Sequence, residues 1–181
     1  MNKKNKNFLL NYSHQIQDLI DDTIKNSQKQ IFNLFKQIKS GSSRGGKVII
    51  FGNGGSAATS SHFSVDLTKN AKIRSVNFND ADFITCLSND YGHDQWVKKA
   101  FEFYADKKDF SILISTSGES KNVINAAKYL KKKKFNYFIL TGMKSNNNLR
   151  KTNLKNSIWV NSMSYNQIEI IHHFILLTII D

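Results

Sequence analysis

The sequence predicts an α/β domain whose parallel sheet is covered by helices on both faces. Three observations lead there. Short apolar runs, KVIIF at 47–51, FSILI at 110–114, NYFIL at 136–140 and SIWV at 157–160, read as buried strands. Segments with helical periodicity fall between them, the alternation that a doubly wound sheet requires. Two of the strand runs end in loops rich in glycine or hydroxyl groups, GNGGS at 52–56 and STSGES at 115–120, and each loop opens a helical segment.

Taken in order, residues 8–39 place Ile16, Leu19, Ile20, Ile24, Ile31, Leu34, Phe35 and Ile38 mostly at three- and four-residue steps, predicting one long or two shorter amphipathic helices. GSSRGG at 41–46 breaks that pattern. Strand 47–51 follows, then a helix over 56–68, a short extended piece at Val76–Phe78 and a helical turn over 81–88. A helix over 93–104 precedes strand 110–114, helix 120–132 and strand 136–140. Strand 157–160 and a helix over 163–180 close the chain. Because proline is absent, turns rest on Gly, Asn and Ser, as in Gly41–Gly46 and Ser145–Asn148. Only the first few residues are expected to lack order.

Composition narrows the functional classes. A chain of 181 residues predicts a single domain. No run of about 18 apolar residues is available to span a bilayer, and MNKKNKNFLL lacks a signal-peptide core, so the expected location is cytoplasmic. Cys86 has no partner for an internal disulfide and reads as a small buried hydrophobe. The formal net charge of +12 raises nucleic-acid binding, which needs clustered cations. Most lysines are scattered among asparagines and isoleucines, and the dense block Lys131–Lys134 ends a predicted helix, where cations meet the negative end of the macrodipole. Nucleic acid is therefore not the expected partner, although a positive field would also draw small anionic substrates.

The two loops carry the first chemical signal. Gly52, Gly54 and Ala57 satisfy G-x-G-x-x-A, but the dinucleotide fingerprint also wants an acidic residue about 20 positions on, where LTKNAKIRS offers none. Neither loop contains G-K-[ST], so no nucleotide cofactor is expected. Ser115, Thr116, Ser117 and Ser120 surround Gly118 at a helix start, where hydroxyls and free backbone N–H groups together suit phosphate oxygens. Ser120 alone would be explained as a helix cap. Loops at the carboxyl ends of neighbouring parallel strands converge on one crevice, which suits a compact phosphorylated ligand.

The second signal is the final helix, YNQIEIIHHFILLTIID, apolar nearly all round and expected to be buried in the core or against another subunit. Unpaired polar groups are costly in such surroundings. Glu169 and His172, three apart, are expected to face one side and to form an acid–base pair shifted toward neutrality by burial. His62 and Asp66, four apart, share a face of the helix that opens the first loop, a spacing that suits one metal.

GNGGSAATSSHF, SNDYG at 88–92, ISTSGES at 114–120 and the helix bearing Glu169 and His172, in this order and spacing, resemble the sugar isomerase (SIS) domain family, in particular its phosphoheptose isomerases. The resemblance implies a three-layer sandwich with a five-stranded parallel flavodoxin-like sheet and amino-terminal helices. It implies a homotetramer with sites shared between subunits, in which residues 1–45 serve oligomerisation and 46–181 form the phosphosugar-binding core. Ser115, Thr116, Ser117 and Ser120 would hold the sugar phosphate, Asn53, Gly54, Gly55 and Ser56 would line the open-chain sugar, and Asn89 and Asp90 would sit near its hydroxyls.

His62 aligns with a zinc ligand in many of these enzymes, and Asp66 stands where they carry a glutamate, a reach shorter by about 1.5 Å. The family commonly has glutamine at the place aligned with Glu169 and a histidine eight residues further on, where this chain has Leu177. His172 or His173 would stand in for that histidine. Zinc on His62, Asp66, Glu169 and His172 is the implied metal set. The implied activity is an aldose–ketose isomerisation through an enediol, on sedoheptulose 7-phosphate or a related sugar phosphate that feeds lipopolysaccharide or capsule precursors. Glu169, with Asp66 as the alternative, would move the proton and His172 would serve the oxygens. A non-catalytic SIS module that binds a phosphosugar or a protein partner is the competing expectation.

Overall fold

The computed structural model describes residues 3–181, so the expectation of disorder at the start falls in part on residues 1–2, outside the described residues. From Lys3 the chain is helical: α1 (Lys3–Ser43) is one helix of 41 residues, about 60 Å long at 1.5 Å per residue. It buries Thr23, Ser27, Leu34 and Ile38, a single stripe at three- and four-residue multiples. GSSRGG ends the helix later than its composition suggests, because the Gly46 N–H returns to the Gly41 carbonyl and Gly45 takes a positive φ of 74°.

Five strands follow: β1 (Val48–Phe51), β2 (Ser75–Val76), β3 (Phe110–Ser115), β4 (Asn136–Thr141) and β5 (Ser157–Trp159). They form one sheet in the order β2-β1-β3-β4-β5, with every pairing parallel. This is the flavodoxin-like order, and it places the topological switch between β1 and β3, whose chains leave in opposite directions. The remaining helices are α2 (Gly55–Lys69), α3 (Ala81–Tyr91), α4 (Trp96–Tyr104), α5 (Lys121–Lys132) and α6 (Tyr165–Ile180). The expected helical turn over 81–88 is the full helix α3, and two short 3₁₀ turns at Arg150–Thr152 and Leu154–Asn156 had no sequence signal.

Alternate strand residues supply two cores. On one face Val48, Ile50, Ile112, Ile114, Phe138 and Leu140 pack with Leu34 and Ile38 of α1, Phe63 and Leu67 of α2, and Ile168, Ile171, Ile175 and Leu176 of α6. On the other, Ile49, Phe51, Leu113 and Ile139 pack with Leu87 of α3, Trp96, Val97 and Phe101 of α4, and Val123, Ala127 and Leu130 of α5. The sheet is therefore buried on both sides, which is why its strands read as continuous apolar runs.

At the amino edge of the sheet, buried Asp109 accepts the Lys47 N–H at 2.8 Å and pairs with Lys47 Nζ at 2.6 Å, clasping the starts of β1 and β3 at the end opposite their loops.

One expectation is corrected here. Cys86 is exposed on α3, because the buried stripe of that short helix runs through Leu87 instead. The last helix buries one face against the sheet, and on the single chain its Tyr165, Ile170 and Phe174 are exposed. Lys131 and Lys132 do occupy the last turn of α5, as the lysine block predicts.

Candidate active site at the switch point

The loops after β1 and β3 meet at the switch point and enclose a crevice of about 300 Å³, at the small end of ligand pockets. Asn53, Gly54, Gly55 and Ser56 form one wall; Ser115, Thr116, Ser117 and Ser120 form the other; Tyr165 and Glu169 of α6 close the end. All eight loop residues singled out in the sequence are thus brought together.

Local backbone chemistry explains the second wall. The Ser115 hydroxyl accepts the Gly118 N–H at 3.2 Å and donates to Ser120 Oγ at 3.2 Å, folding the loop back on itself. Gly118 sits at φ 67°, and any side chain there would collide with buried Asn147. Asn147 in turn is held by the Lys144 carbonyl at 2.8 Å and by the Arg150 N–H at 2.9 Å, so the 144–150 segment buttresses the loop. Ser120 is the N-cap residue of α5 but makes no side-chain capping bond, so the capping explanation of its hydroxyl fails. The N-terminus of α2 behind Gly54 likewise has no side-chain cap. Two helix starts whose N-cap residues make no side-chain bond face one crevice, an arrangement that suits an anion, although the Val123 N–H of α5 is taken by Asn122 Oδ1 at 2.9 Å.

A wider cleft of about 810 Å³ adjoins it, lined by Gly55, Ala58, Thr59 and His62 on one side and by Asn166, Glu169, Ile170, His173 and Phe174 on the other. Glu169 and Gly55 belong to both spaces. A side chain at position 55 would collide with the Glu169 carboxylate, so glycine there lets the acid lie directly against the first turn of α2. Glu169 is half-buried, not sequestered as expected.

The pairing of Glu169 with His172 does not form. His172 is fully buried on the sheet side of α6, where its Nε2 lies 3.2 Å from the Thr141 carbonyl and its Nδ1 has no partner. The carbonyl requires Nε2 to carry the proton and donate. Burial pushes the pKa of His172 from the ordinary 6.5 down to about 4, so it is neutral and structural.

His173 takes the place in the cleft instead. Its Nε2 meets His62 Nδ1 at 2.9 Å, and His62 Nε2 meets Asp66 Oδ2 at 3.2 Å. A consistent proton assignment has His173 Nε2–H donating to His62, and His62 Nε2–H donating to Asp66. Burial, and then the neighbouring His62, lower the pKa of His173, while Asp66 opposes the shift.

The implied zinc set is not assembled. His172 points to the opposite side of α6, both ring nitrogens of His62 are engaged, and among the described residues no three His, Cys, Asp or Glu side chains converge as metal ligands. Asn89 and Asp90 also stand apart, exposed on the last turn of α3 and bonded to each other at 3.1 Å, lining neither space.

Fold and crevice together define a doubly wound α/β domain with a crevice at the strand ends between β1 and β3. The chain belongs to the SIS domain family, whose model matches residues 11–142. It is 37% identical to a phosphoheptose isomerase of Cytophaga hutchinsonii over 120 residues, which are 64% of this chain and 63% of the relative. A phosphoheptose isomerase of Syntrophotalea carbinolica is 35% identical over 121 residues, 64% of this chain and 62% of that protein, so the match spans about three-fifths of these relatives. Among solved structures, a phosphoheptose isomerase from Francisella tularensis superposes with a TM-score of 0.88 at 25% identity, covering 100% of this chain and 97% of that one. Another from Neisseria gonorrhoeae gives 0.89 at 23% identity, covering 97% and 96%, and shares the fold.

Proposed function

We propose that this protein is an aldose–ketose isomerase of phosphorylated sugars, acting on sedoheptulose 7-phosphate or a close analogue through an enediol. The observation that carries the reading is the continuity of crevice and cleft through Glu169. A phosphate seated at the start of α5 lets an open carbon chain run past that carboxylate toward the histidines of the adjoining cleft. The names of the relatives agree with it.

Ser117, Ser120 and the N–H groups at the start of α5 hold the phosphate, and Asn53 with the glycine loop lines the chain. Glu169 takes a proton from one of the first two carbons and returns it to the other. His173 exchanges protons with the oxygens, its tautomer set by the His62–Asp66 couple; Asp66 is thereby an orienting group, not the base. Anchoring the remote phosphate leaves its binding energy free to orient the reacting carbons.

The assembly is proposed to be a homo-oligomer, a tetramer by resemblance. Phe8, Leu9, Leu10, Phe32 and Phe35 of α1 are exposed on a single chain, as are Ile170 and Phe174 beside the cleft. Apolar area on this scale is normally covered by another subunit. Among the described residues no helix is long and apolar enough to cross a membrane.

The test is incubation of the purified chain with sedoheptulose 7-phosphate while aldose formation is followed. Conversion supports the reading. Binding without conversion would assign the chain to the non-catalytic modules of the family.

A further inference from the structure

One contact across the switch point has a consequence for the crevice. Asn53, in the loop after β1, and Asn122, in the first turn of α5, are 69 residues apart and face each other as a reciprocal amide pair. Asn53 Nδ2 donates to Asn122 Oδ1 at 3.0 Å, and Asn122 Nδ2 donates to Asn53 Oδ1 at 3.0 Å. Asn122 is only 2% exposed, and its Oδ1 also accepts the Val123 N–H at 2.9 Å. Turning the Asn122 amide over would set its NH₂ against that N–H, donor against donor, in a buried position, so its orientation is locked.

The lock passes to Asn53. If Asn53 alone turned over, its NH₂ would face the NH₂ of Asn122 and its oxygen would face an oxygen. Held as it is, Asn53 spends one Nδ2 hydrogen on Asn122 and keeps the second. Asn53 is exposed and lines the crevice, so that second hydrogen is the one available to a ligand. Another side-chain contact joining the two walls, Ser56 Oγ to Thr116 Oγ1, is 3.5 Å long, at the limit of a hydrogen bond.

We infer that Asn122 is a positioning residue: it presents the amide of Asn53 donor-first to the sugar and fixes the glycine loop against the start of α5. The inference rests on the phosphosugar reading. A donor offered to a hydroxyl or carbonyl of the carbon chain acts on sugar phosphates and not on inorganic phosphate, which separates its test from that of the phosphate loop.

The experiment is a double-mutant cycle on the full chain with N53A, N122A and the combined variant. Affinity for sedoheptulose 7-phosphate and for inorganic phosphate is measured by calorimetry, beside KM and kcat. N122A is expected to weaken the sugar phosphate about tenfold through KM, the worth of one oriented hydrogen bond, and inorganic phosphate by less than about twofold. In the N53A background the same substitution should add less than about twofold, because both residues act through one donor.

N122D keeps shape and the Val123 bond but cannot donate to Asn53 Oδ1, and it should reproduce the sugar-phosphate loss if N122A does not fold. Equal effects of N122A with and without Asn53, or a lowered Tm with unchanged sugar-phosphate affinity, would overturn the inference and leave Asn122 a structural residue. If the wild type binds the sugar phosphate without converting it, the isomerase reading falls and the cycle is read on affinity alone. A wild type that does not bind the sugar phosphate overturns both.

Discussion

The crevice between the two loops and the cleft between α2 and α6 share Glu169, yet they are built on different principles. The crevice is made of two short runs of contiguous residues whose backbone sets its shape, so a loop of five or six residues carries its own geometry. The cleft is made of single side chains from two helices that meet only in the folded protein, and one helical step decides which of them enters. His172 and His173 show the difference. They are adjacent, but one is locked on a carbonyl in the core and the other faces His62.

The largest expected effect is at the side chain common to both regions. E169Q keeps the shape and removes the base, and it should lower kcat by about 10²–10⁴-fold while leaving sugar-phosphate affinity within about threefold. A fall in affinity matching the fall in kcat would show that Glu169 belongs to the binding crevice alone.

The contrast between the two histidines comes next. H173Q should reduce kcat by about 10²-fold and change the stability's response to pH less than H172Q does, because His173 is only partly buried. H172Q, whose side-chain NH₂ can still reach the Thr141 carbonyl, should leave turnover near wild type and change that response. With a folded pKa near 4 against an ordinary 6.5, His172 binds its proton in the unfolded chain first. The stability it contributes is therefore complete above about pH 6.5 and is lost as the pH falls toward 4, by about 3 kcal/mol in all. Urea unfolding at pH 7.5 and 4.5 should show a smaller loss in H172Q than in the wild type; an equal loss would mean that other groups govern the acid transition.

The smallest effect belongs to the crevice, where several groups share one phosphate. Replacing Ser117 and Ser120 with alanine should raise KM about tenfold per hydroxyl, with kcat changed by less than about threefold, since the phosphate is remote from the reacting carbons. A loss confined to kcat would place the phosphate elsewhere.

The crevice was legible for a physical reason. Ser115, Thr116, Ser117, Gly118 and Ser120 are a local signal, and the apolar runs before and after them set the strand and the helix that hold the loop. The supports of that loop were not legible. Asn147 lies beyond the next strand, and Asn122 looks like one more polar residue in a helix. The choice of His173 had a faint signal. At about 100° per residue, position 173 lies about 40° from Glu169 around the helix and 172 about 60°. Position 172 is also flanked at four-residue steps by Ile168 and Leu176, both buried.

What the sequence determined by itself is what depends on periodicity and on the conformational needs of short loops. That covers four buried strands and a short extended piece beside them, the helices between them, and a glycine- or hydroxyl-rich turn after each of the two strands at the switch point. The tertiary structure alone decided which faces of α2 and α6 meet, and so which histidine stands beside His62 and which supports the sheet. A helix rotated by one residue has nearly the same composition on each face, and only close packing against the sheet selects between them.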